Sequence, residues 1–183
     1  NDNFSEDLAN NINGHTPADL RRALWKATVA GGMGINIRHN ELFCPAGITE
    51  CDRYFHMASL HDELDSEEWL ALVAPFIATH LSPVFGSMLP APELVEGSGG
   101  KFALADPGRE RVLVLLLGVG DSWDTGDGGA AVVKLGGVSG EFDASWFDPR
   151  TGAMTELDVL TGGTEHVVAP PSTEDWLLVL KRK

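Results

Sequence analysis

Apolar residues change their period once along this chain, near residue 90, and the two periods predict two kinds of structure. Leu20, Ala23, Leu24, Ala27 and Ala30 recur at helical spacing and predict an apolar face on a helix over residues 16–31. Thr16 fits its N-cap, Pro17 its first position and Asp19 its third, while Gly31-Gly32 ends it. Met33-Gly34-Ile35-Asn36-Ile37 follows as a short strand, a helix-to-strand step of α/β type. A second helix is predicted from Asp65, with Glu68 as its capping partner and Trp69, Leu72, Val73 and Phe76 facing inward. Pro75 is expected to kink or divide it. Residues 52–64 have room for a further short helix.

Pro83, Pro90, Pro92, Gly97, Gly99 and Gly100 then punctuate a stretch read as a linker, residues 83–100. Beyond it the apolar runs are short. Lys101–Ala105, Arg111–Leu117, Ala130–Leu135, Glu141–Phe147, Met154–Leu157, His166–Ala169 and Trp176–Leu180 read as strands between Gly, Pro and Asp turns. Their regular spacing predicts an antiparallel sandwich or barrel over residues 101–183 that folds as a unit. The fold class is therefore α+β, with helix and strand units in residues 1–82 and a β-sandwich at the end. The apolar helix faces around Leu24 and Trp69 are expected either to be exposed or to pack against the sandwich, another subunit or segments upstream.

Composition narrows the partners. Of 183 residues 43% are hydrophobic, enough for a buried core. Thirteen basic against 27 acidic residues give a formal charge of −14, which repels nucleic acid and anionic membranes. No run approaches the roughly 20 apolar residues that span a bilayer. Asn1-Asp2-Asn3 is a polar start without the basic segment of a signal peptide. Cys44 and Cys51 are the only cysteines, and six residues lie between them. A small disulfide in an oxidising compartment and two reduced thiols both fit; a zinc site does not, because no second ligand pair follows.

Two stretches carry a resemblance. Trp146-Phe147-Asp148-Pro149-Arg150-Thr151-Gly152, Ala169-Pro170-Pro171 and Asp175-Trp176-Leu177-Leu178-Val179-Leu180 resemble the C-terminal β-sandwich behind the catalytic barrel of apiosidase-like glycoside hydrolases, a module labelled collagen-binding. Asp19-Leu20-Arg21-Arg22-Ala23-Leu24-Trp25-Lys26-Ala27-Thr28-Val29-Ala30-Gly31-Gly32 is similar to the helix and glycine turn before the last barrel strand of those enzymes. The resemblance implies that residues 1–82 are the terminal units of a (β/α)8 barrel and that the protein is secreted or periplasmic. Its partners would be a carbohydrate substrate and the missing upstream barrel segments or another subunit, with no cofactor or metal. Ser5-Glu6-Asp7 is similar to the Ser-Glu-Asp that ends a barrel strand in related hydrolases, where the Glu is the nucleophile. Here only Asn1-Asp2-Asn3-Phe4 precedes it, with no apolar strand.

Glycoside hydrolysis needs two carboxylates across the scissile bond. Glu6 is the candidate for one of them, and its acid/base partner is expected upstream of Asn1. The alternative is a non-catalytic carbohydrate- or matrix-protein-binding module. Asp121, Asp124 and Asp127 offer oxygens to calcium, but not at EF-hand spacing. His56 and His61 are five apart and fall on different helix faces. Trp123 and Trp146 read either as a sugar-stacking platform or as core. Asp148-Pro149-Arg150-Thr151-Gly152 reads as a tight turn in which Gly152 takes a positive φ.

Overall fold

A computed structural model describes residues 17–31, 66–119 and 126–183. Helix α1 spans Pro17–Val29 and α2 spans Ser66–Phe76. One residue past Pro75 the α-helix gives way to a π-helical turn, Ile77–Leu81, so the proline divides the helical stretch as expected. The strands are β1 Leu89–Pro90, β2 Val95–Glu96, β3 Lys101–Ala105, β4 Arg111–Leu116, β5 Ala131–Lys134, β6 Glu141–Phe147, β7 Met154–Glu156, β8 Leu160–Thr161, β9 Glu165–Val168 and β10 Trp176–Arg182.

Every pairing among them is antiparallel. The larger sheet runs β1-β3-β4-β10-β6-β7, with β8 also on β6, and the smaller runs β2-β5-β9. The final strand thus lies at the centre of the larger sheet, with Leu178 opposite both Val114 of β4 and Trp146 of β6. Val112, Val114, Leu116, Phe142, Ala144, Trp146, Trp176, Leu178 and Leu180 face the smaller sheet and close on its Ala131, Val133 and Val168. This is the sandwich core that the strand spacing predicted.

The alternate residues form a second core. Leu104, Leu113, Leu115, Leu117, Phe147, Leu177 and Val179 point away from the smaller sheet and pack on Trp25 and Val29 of α1, on Phe76 of α2 and on Leu81. Trp25 meets Phe76 edge-on at 5.2 Å between ring centres and Phe147 at 5.5 Å. The molecule is therefore layered helix, sheet, sheet, and β4 and β10 are covered on both faces. Antiparallel strands usually keep one solvated face; two covered faces explain why Val112–Leu117 and Trp176–Leu180 are unbroken apolar runs.

Two expectations need correction. The face of α1 is turned from the one the apolar pattern selects: Arg21, Arg22, Leu24, Trp25, Thr28 and Val29 are buried, while Ala23 and Ala30 are exposed. Alanines contribute little area to burial, whereas Trp25 contributes a great deal, and the arginines find a buried carboxylate. Residues 83–100, read as a linker, are part of the sandwich. Leu89 pairs with Ala105 and Val95 with Val133, while Met88, Ala91 and Leu94 are buried in the two cores. Of the residues expected to face inward in α2, Phe76 is buried and Leu72 and Val73 pack against the same core, while the Trp69 side chain lies outside those described.

Both helices cover one continuous apolar face of the larger sheet. A shortened chain of residues 83–183 keeps all ten strands but uncovers that face. It is expected to bind a hydrophobic dye strongly and to melt well below the whole chain. A dye-silent piece of equal stability would make the helices dispensable. Leu115→Ala in the whole chain is expected to cost about 2–5 kcal/mol in urea denaturation, the range for a fully buried leucine.

Candidate functional site

The densest polar constellation among the described residues lies where α1 meets the sandwich. Asp175 is the residue before β10 and is buried, as are Arg21 and Arg22. Arg21 donates from Nε at 3.2 Å and from Nη2 at 2.8 Å to Asp175 Oδ2. Arg22 Nε donates to Oδ1 at 2.9 Å, and the backbone N–H of Gly118 donates to the same oxygen at 2.8 Å. Arg22 Nη2 also reaches the carbonyls of Gly118 and Val119, each at 3.3 Å. One carboxylate thus accepts four hydrogen bonds and ties the helix to two strand ends. Two adjacent residues can both reach it because Arg side chains are long and planar and fork toward a carboxylate. Arg22 Nη1 and the indole N–H of Trp25 have no partner among the described residues.

Next to it is the β6–β7 turn. Asp148 Oδ1 accepts from the Arg150 backbone N–H at 2.9 Å and from Arg150 Nε at 2.8 Å, while Oδ2 accepts from Arg150 Nη2 at 2.9 Å. Gly152 takes φ +76°, as the turn reading required, and donates its N–H to the Asp148 carbonyl at 2.8 Å. The Arg150 guanidinium lies 5.5 Å from the Trp176 ring centre, over its face. Burial pushes the Asp148 carboxyl up, but the Arg150 side-chain and backbone bonds outweigh it and hold the group below the ordinary carboxylate range.

The aromatic platform is absent from the described surface. Trp146 is 2% exposed and Trp176 8% exposed, and their rings meet at 6.4 Å. The Trp176 indole N–H donates to Ser172 Oγ at 3.0 Å, so its polar atom is satisfied inside the fold. Trp146, offered in the sequence as platform or core, is core. Asp127 is engaged by Lys101, Ser98 and Gly129. Glu6, Cys44, Cys51, His56, His61, Asp121, Trp123 and Asp124 lie outside the described residues. Among the described residues no three His, Cys, Asp or Glu side chains come close enough to hold a metal, and no helix is long and apolar enough to cross a membrane.

Sequence reading quoted Asp175 and Arg21-Arg22 in two separate motifs and did not join them. A pair of arginines on an otherwise apolar helix was the available signal, since buried charges require a partner.

Residues 125–181 match the family described as "Putative collagen-binding domain of a collagenase". A solved glycoside hydrolase matches 93% of this chain with 38% of its own, at a TM-score of 0.65 and 16% identity. A glycoside hydrolase family 5 protein from Bacteroides vulgatus ATCC 8482 matches 93% of this chain with 37% of its own, at 0.63 and 17%. No curated protein matches the chain. The fold is thus shared with part of these hydrolases, and the chain spans under two-fifths of their length.

Two substitutions separate charge from packing here. Asp175→Ala leaves two buried guanidinium groups without their carboxylate and is expected to cost about 3–5 kcal/mol in urea denaturation. Arg150→Ala is expected to cost about 1–2 kcal/mol at pH 7. Because the folded Asp148 titrates below its ordinary 3.8, its stabilising effect is full above that pH and fades as pH falls through the folded value. The difference between parent and variant should therefore shrink as the pH is lowered from neutral through 3.8 and on through the folded value. A pH-independent difference would mean that Arg150 acts only by stacking on Trp176.

Proposed function

We propose that this chain is the C-terminal portion of a glycoside hydrolase, in which α1 and α2 belong to the end of a (β/α)8 barrel and the sandwich is an accessory domain braced against them. The observation that carries this reading is the match of 93% of this chain, helices and sandwich together, to part of two glycoside hydrolases. Within that class, the Arg/Trp helix closed by Ala30-Gly31-Gly32 and the Trp146–Gly152 turn favour an apiosidase-like enzyme. Its substrate is a plant, algal or microbial polysaccharide or glycoside, and its place is secreted or periplasmic. Glu6 supplies one carboxylate of the pair, and the acid/base partner comes from the barrel segments upstream.

The sandwich acts as a structural brace in this reading. Sugar-binding surfaces stack pyranose rings on exposed aromatic faces, but Phe142, Trp146, Phe147 and Trp176 are all buried and Phe102 is half-buried. The face of the larger sheet that a binding module would leave to solvent is covered by helices. The family described as collagen-binding keeps a second reading alive, a non-catalytic module for carbohydrate or matrix protein. Pull-down on insoluble polysaccharide and on collagen separates the two: a brace is retained by neither.

One carboxylate cannot both protonate the leaving group and attack the anomeric carbon. The 183 residues alone are therefore expected to leave aryl glycosides intact. In the full-length hydrolase, Glu6→Gln should abolish turnover with the fold unchanged by circular dichroism. Full activity in that variant would remove Glu6 from the active site, and robust activity of the isolated chain would overturn the reading altogether.

A further inference from the structure

Lys101 is the first residue of β3, and its side chain is only 4% exposed although it ends in an ammonium. Nζ donates to the carbonyl oxygen of Ser98, to that of Gly99 at 3.3 Å and to Asp127 Oδ1 at 2.7 Å. The cage is itself braced: Ser98 Oγ donates to Asp127 Oδ2 at 2.5 Å and the Gly129 N–H to Oδ1 at 3.0 Å. Gly97 is part of the construction, because a Cβ there would come within 2.8 Å of both Lys101 Cδ and Cε. Two backbone carbonyls, a carboxylate and a nearby hydroxyl are the donor set of a hard cation, and calcium accepts such ligands with water completing the shell.

We propose that the Ser98–Gly99–Asp127 cage is a cation site occupied in cis, with the Lys101 ammonium standing where a calcium ion would otherwise sit. The lysine carries one charge on a covalent tether, so it holds the 97–100 turn against the 126–129 segment at any calcium concentration. Asp127 is correspondingly held well below the ordinary carboxylate range by Lys101, with Ser98 and Gly129 adding to the effect.

The test is Lys101→Met, which keeps the apolar stem and removes the ammonium, in the whole chain. Its melting temperature should rise by about 3–5 °C in calcium chloride at roughly ten times the dissociation constant. The parent chain fixes the background from any other calcium site, and in Lys101→Met/Asp127→Asn the extra rise should vanish. An unchanged Lys101→Met melting temperature, or an equal response in the double variant, overturns the proposal. If Lys101→Met fails to fold without metal, calcium added during refolding should restore the near-ultraviolet circular dichroism of the parent. Failure to restore it also overturns the proposal.

Discussion

Two strands buried on both faces determine this architecture. β4 and β10 are paired along six residues, and over Val112–Leu116 and Trp176–Leu180 both faces of each strand are buried. The even positions of β4 and β10 require a second sheet and the odd positions require helices; one layer cannot satisfy both. Because a buried residue of this size contributes on the order of 1.5–3 kcal/mol, ten such positions outweigh any surface interaction in the molecule. The layering of helix, sheet and sheet is thus already dictated by Val112–Leu117 and Trp176–Leu180.

Apolar burial sets which faces meet but not where along the strands the helix sits. That register falls to Asp175. A hydrophobic contact tolerates sliding by a residue or so, whereas a carboxylate accepting from two guanidinium groups and an amide has one geometry. Such clusters add little net stability compared with an apolar replacement, since desolvating three charges is expensive. Their effect is specificity: a misplaced helix would leave charges buried and unpaired. The Asp148–Arg150 turn, beside Trp176, repeats the device at smaller scale, with partial exposure and correspondingly weaker consequences.

How much of this was legible in the chain depended on which force placed each residue. The strands from Lys101 to Phe147 and Trp176 onward were readable because period-2 alternation or an unbroken apolar run reports burial directly. β1, β2 and β8 are two residues each, too short for any period, and β1 and β2 sit among prolines and glycines that read as a linker. The orientation of α1 was misread because apolar periodicity cannot count a buried arginine as an inward residue. Its true face runs Arg21, Arg22, Leu24, Trp25, Thr28, Val29, and Thr28 satisfies its hydroxyl on the Leu24 carbonyl at 2.9 Å. The second core was legible only as helix faces that could be exposed or covered in several ways, and the sandwich is what packs on Trp25, Val29 and Phe76.

A catalytic carboxylate must keep lone pairs free to face a substrate, and the buried carboxylates among the described residues do not. Asp106 accepts from the Gly108 and Arg111 amides, Asp148 from Arg150, and Asp175 from two arginines and Gly118. Asp106 and Asp148 shape the turns they stand in, and Asp175 joins α1 to the sandwich. Hydrogen-bond donors crowded onto a carboxylate occupy the oxygens that would otherwise face a substrate. Asp106, Asp148 and Asp175 are thus committed to holding turns, strand ends and α1 in place. Around Asp175 both carboxylate oxygens are taken up in this way, while Arg22 Nη1 and the Trp25 indole N–H beside them stay without a partner among the described residues.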